Sequence, residues 1–118
     1  MPMTRFHLMM LGAAIVLPAP ALAETKWQAP MVQECILAPG AECNVEAECP
    51  ADMPYVSAGG GGMPMAEPAD HAIAMTMNLP VTESKWRVRW RNLHPTAEAQ
   101  MKGAVRIQCG SDKAAAGW

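Results

Sequence analysis

Four kinds of side chain in this sequence carry reactive or ligating chemistry: cysteine thiols, histidine imidazoles, methionine thioethers and a dense row of cations. The cysteines are Cys35, Cys43, Cys49 and Cys109. No two are spaced Cys-x2-Cys, as zinc sites favour, so the even count points to two disulfides in an oxidising compartment. Methionine and histidine gather in Met63-x-Met65, His71 and Met75-x-Met77. Thioether sulfur and imidazole suit Cu(I), which makes Met63, Met65 and His71 the candidate metal ligands and copper the alternative cofactor. Met75 and Met77 alternate with small and polar residues in step with Ile73 and Leu79, and read more simply as core filler.

No catalytic constellation presents itself, and a non-enzymatic protein without a cofactor is the leading expectation. His71 and His94 each lie in or beside a loop. Asp70-His71 is a dipeptide whose side chains point apart too readily for a dyad. Ser57 lacks the Gly-x-Ser-x-Gly elbow of a serine nucleophile. The run Gly59-Gly60-Gly61-Gly62 is not followed by the Gly-Lys-Ser/Thr ending of a phosphate loop. It reads as a flexible link or as backbone that must pass close to a bulky neighbour such as a Trp.

The cations belong to the most regular element in the chain, Lys85-Trp86-Arg87-Val88-Arg89-Trp90-Arg91. Strict alternation predicts a β-strand with Trp86, Val88 and Trp90 on one face and Lys85, Arg87, Arg89 and Arg91 on the other. Residues 42–49 alternate in the same way, with Glu42, Glu46 and Glu48 on one side. Residues 24–83 are acidic with Lys26 their sole cation, whereas residues 84–118 are basic apart from Glu98 and Asp112. The two charged stripes are expected to face each other as cross-strand ion pairs that help set register. The rival reading is a basic face for a polyanion; an overall net charge of −2 argues against nucleic acid as that partner.

Arg5 and His7, an apolar run over residues 8–17 and Ala21-Leu22-Ala23 ahead of Glu24 form an export signal, residues 1–23. The apolar run is shorter than the roughly 20 residues that span a bilayer, so no transmembrane segment is expected in the mature chain, residues 24–118. The protein is then exported, periplasmic or extracellular. A single domain of this size is marginal unless stapled. Its core is expected over about 30–110, with a frayed tail at 111–118.

Strand candidates cover residues 29–37, 42–49, 55–58, 73–79, 85–92 and 104–109, the last placing Val105, Ile107 and Cys109 on one face. Residues 63–70 read as loop, Pro80 as a strand end, and residues 96–102 as either a short helix or a loop. About six short strands predict an all-β fold, a small antiparallel β-sandwich or partly open barrel stapled by disulfides. Four cysteines allow three pairings. Six residues of strand put Cys43 and Cys49 about 20 Å apart, beyond disulfide reach, while Pro39-Gly40 suits a type II turn that brings Cys35 beside Cys43. Cys49 is then left for Cys109.

The sequence Cys49-Pro50, a short strand into the glycine run, Trp86-x-Val88 with Asn92, and Val105-x-Ile107-x-Cys109 resembles a small domain of secreted bacterial proteins, found also at the ends of some phage or pilus fibre proteins. The resemblance covers residues 45–110. It implies a compact β-domain with a disulfide between Cys49 and Cys109, and a role in surface display or adhesion. Asp52, where that pattern commonly has Gly, and the Pro/Met-rich residues 63–70 depart from it. Together these readings point to a binding or structural module whose partner is an envelope glycan or protein.

Overall fold

The computed structural model of the chain describes residues 24–67 and 72–118, so the expected export signal and His71 lie outside the described residues. The alternation described above becomes seven strands: β1 (Thr25–Trp27), β2 (Met31–Leu37), β3 (Glu42–Glu48), β4 (Tyr55–Glu67), β5 (Ile73–Thr82), β6 (Lys85–Asn92) and β7 (Ala99–Gly110). They form two antiparallel sheets. In the first, β7 runs between β4 on one edge and β1 followed by β2 on the other. In the second, β6 lies between β3 and β5. The sheets stack into an open sandwich, the fold class expected from the alternation.

Four local expectations give way. β4 does not stop at residue 58 but carries the glycine run and residues 63–67 along β7, with register shifts after Val56 and after Gly62. Residues 99–102 are strand, not helix or loop: Met101 is fully buried, and β7 is flanked by strands on both edges. Ladder pairing on both sides outweighs the helix preference of Ala, Gln, Met and Lys. β5 runs through Pro80, which an edge strand tolerates because one side of it makes no ladder bonds. The tail is an ordered turn. Asp112 Oδ1 accepts from the Ala115 N–H at 2.8 Å, Gly117 takes a positive φ of 92°, and the Trp118 indole N–H donates to the Val56 carbonyl at 2.7 Å.

Glycine is what lets the two sheets approach. The inner face of β6 presents Trp86, Val88 and Trp90, and under each lies a glycine of the first sheet. A Cβ on Gly59 would sit 2.6 Å from the Trp86 ring, one on Gly61 2.6 Å from Val88 Cγ1, and one on Gly103 2.6 Å from Trp90 Cζ3. Carbon atoms do not pack that closely. Val88 and Trp90 are consequently buried, together with Val45, Met101, Val105 and Ile107. Trp86 is only partly buried, and its indole N–H donates to Asn78 Oδ1 at 2.8 Å.

Both disulfides join one sheet to the other. Cys35 on β2 is bonded to Cys43 on β3, and Cys49, just beyond β3, to Cys109 on β7, with Cα separations of 6.0 and 5.7 Å. The chain-entropy model gives about 4 kcal/mol for the longer loop and 2–3 kcal/mol for the shorter. At the Cys35–Cys43 end the fully buried Asn92 is a third tie. Its side-chain amide donates to the carbonyls of Leu37 at 3.0 Å and Ala97 at 2.9 Å, and its Oδ1 accepts from the His94 N–H at 3.0 Å.

Replacing Gly61 with Ala is expected to cost about 1–3 kcal/mol by overpacking, whereas Gly60→Ala, whose Cβ would meet open space, should change stability by less than about 0.5 kcal/mol. Urea unfolding of the two variants checks the contrast; equal effects would mean that the sheets part freely. Asn92→Ala leaves buried groups without partners and should lower stability by about 3 kcal/mol, read in the same assay.

Candidate binding surfaces

With the inner faces committed to the core, the outer faces and the strand ends remain to meet a partner. The outer face of the second sheet carries the charged stripes, and the ladder sets them in register: Glu42 opposite Arg91, Asn44 opposite Arg89, Glu46 opposite Arg87 and Glu48 opposite Lys85. Arg87 Nε donates to Glu46 Oε1 at 2.6 Å, and its Nη2 forms an ion pair with the same oxygen. Arg89 Nε donates to Asn44 Oδ1 at 2.7 Å and lies 3.4 Å from Glu42 Oε2. Glu42 thus leans from Arg91 toward Arg89. Among the described residues, Lys85 and Arg91 at the two ends of the row have no ion-pair partner.

The third column of that face corrects a sequence expectation. Ile73, Met75, Met77 and Leu79 do not share a face, because a register shift between Met75 and Met77 turns the strand over. Ile73 and Met75 lie opposite Asn92 and Trp90, on the inner side, whereas Met77 and Leu79 lie opposite Arg89 and Arg87, on the outer side. The cation row is therefore bordered by acids on one flank and by Met77 and Leu79 on the other. A single extra residue reverses every later side chain.

The candidate copper ligands are spread in the same way. Met63 packs against the core, while Met65 lies opposite Lys102, an outward-facing residue paired with Glu34. His71 is outside the described residues. Among the described residues no group of three or more His, Cys, Asp or Glu is arranged to hold a metal ion. Ser57 donates its hydroxyl to the Gln108 side-chain oxygen at 3.1 Å. His94 Nδ1 accepts the backbone N–H of Thr96 at 3.1 Å and of Ala97 at 2.8 Å. The outer face of the first sheet bears Trp27, with the Arg106 guanidinium 5.2 Å from its ring centroid, and the exposed Val32 and Ile36.

Pro39-Gly40 and Leu93-His94-Pro95 lie in connections more than fifty residues apart in the sequence. The fold brings them together, since the Gly40 N–H donates to the Asn92 carbonyl at 2.8 Å and the Asn92 N–H to the Ala41 carbonyl at 3.0 Å. Between them lies an open cleft of about 330 Å³, lined by Pro39, Gly40 and the run from Arg91 to Pro95. The signal for it was present: charge matching puts Arg91 opposite Glu42, and that register places the two turns side by side.

A double-mutant cycle with Glu46→Gln and Arg87→Gln should give a coupling of about 0.5–1 kcal/mol, as for partly exposed pairs. The coupling should shrink in about 0.5 M salt, while Glu48→Gln with Lys85→Gln should give almost none. No family model, no curated protein and no solved structure matches the chain.

Proposed function

We propose that the protein is an exported, non-enzymatic module that binds or displays at the envelope or outside the cell, meeting an envelope glycan or protein through its loops and sheet faces. The observation that carries this reading is the way the framework uses up its distinctive residues. Cys49 and Cys109 clamp the sheets, Gly59 and Gly61 seat Trp86 and Val88, and Asn92 ties the strand ends. These are the residues on which the resemblance to the small secreted domain rests, and each has a structural task. What is left for a partner is surface. Two disulfides support an oxidising destination, and among the described residues no helix is long and apolar enough to cross a membrane.

A polyanion lying along the cation row is the weaker reading, because Arg87 and Arg89 are engaged by Glu46, Asn44 and Glu42. The module reading is tested by probing a glycan array and an envelope-protein fraction with the oxidised protein. A defined glycan or protein ligand, released when the disulfides are reduced, is the expected result. Silence in both assays, or chemical turnover of an arrayed glycan, would overturn it.

A further inference from the structure

The cleft between the two turns combines features found together nowhere else among the described residues. Arg91 supplies a cation whose facing carboxylate, Glu42, leans toward Arg89 instead. A Cβ built on Gly40 would lie 3.9 Å from Arg91 Nη2, so the guanidinium sits over the β2–β3 turn, at the cleft. Its planar fork can bond an oxyanion through two parallel N–H groups. The Nδ1 atom of His94 is occupied by two backbone N–H donors, which leaves Nε2 as the polar atom of that ring and, in the neutral form, its proton donor.

The remaining walls are apolar. Pro39, Pro95 and the exposed Leu93 offer C–H surface beside the charge. A bare inorganic anion would use the arginine and leave that surface unused. A neutral sugar or an apolar ring would leave the guanidinium without its partner. About 330 Å³ is at the small end of ligand pockets, with room for a single sugar unit and its acidic substituent. We infer that this cleft takes a sugar bearing an acidic group, its carboxylate or phosphate held by Arg91 and its ring face set against Leu93 and the two prolines. The inference rests on the binding-module reading and gives it a ligand class.

The test is titration of the oxidised, isotope-labelled protein, followed by backbone amide shifts, with galacturonate, glucose 6-phosphate and galactose in separate arms. The two acidic sugars distinguish a carboxylate from a phosphate source. At least one of them should give saturable shifts confined to Gly40, Arg91, Leu93 and His94, with a Kd on the order of 1 mM. Galactose should give none. Arg91→Gln, on an exposed position, should weaken binding about tenfold or more, while Arg87→Gln, which removes a cation paired with Glu46 and leaves Glu42 on Arg89, should leave it unchanged. Saturable shifts that survive Arg91→Gln, equal binding of galactose, or no saturable shift with either acidic sugar would overturn the assignment. In the last case a ligand from the glycan array or envelope fraction would still leave the module reading standing.

Discussion

The close contact between β6 and the first sheet is the constraint from which the rest of the molecule follows. Two indoles and a valine on alternate positions of one strand need three places where the opposing backbone carries no side chain, and Gly59, Gly61 and Gly103 provide them. Such a contact leaves little tolerance in register. A shift of one residue on β6 would turn Lys85, Arg87, Arg89 and Arg91 toward the core and the indoles outward. Charge matching across β3 and β6 enforces the same register from the other face, so packing inside and electrostatics outside select one alignment.

The two sheets are joined at both ends as well as in the middle. Cys35–Cys43 and the Asn92 hydrogen bonds hold one end, and Cys49–Cys109 the other. The strand edges are treated less uniformly. At the start of β4 the Val56 N–H donates to the Glu83 carbonyl, and its own carbonyl accepts the Trp118 indole N–H. Beyond that point β4 has a ladder partner on one side only. Bulges and prolines in β4 and β5 interrupt the regular edges that would otherwise invite pairing with another chain.

Most of the framework was legible because it rests on period-two patterning. The faces of β3 and β6, the disulfide pairing and the core positions Trp86, Val88, Trp90, Val105 and Ile107 all follow from alternation and chain reach. What escaped was decided by neighbours rather than by local sequence. Residues 99–102 look helical until β2 and β4 are placed on either side of them. The glycine run left two readings open, a flexible link or backbone passing close to a Trp, and only the placement of Trp86 and Val88 over it selects the second. The bulge at Thr76 left no mark in the pattern, since Ile73, Met75, Met77 and Leu79 alternate faultlessly across it. The cleft was hidden for a related reason: its walls come from two turns more than fifty residues apart, and only the β3–β6 register joins them.

The staples also impose an order on biosynthesis. Cys35 and Cys43 are eight residues apart, so their bridge needs only β2, β3 and the turn between them and can close before the rest of the chain has folded. Cys49 and Cys109 are sixty apart, and the second bridge must wait until β7 has arrived, because β7 is the strand on which β1, β2 and β4 all assemble. Cys49 therefore stays a thiol until β7 is in place, close in sequence to a pair that can already have closed. Joining the cysteines in their order of appearance, Cys35 with Cys43 and then Cys49 with Cys109, yields the native pairs, so early closure of the first bridge leaves Cys49 only its proper partner.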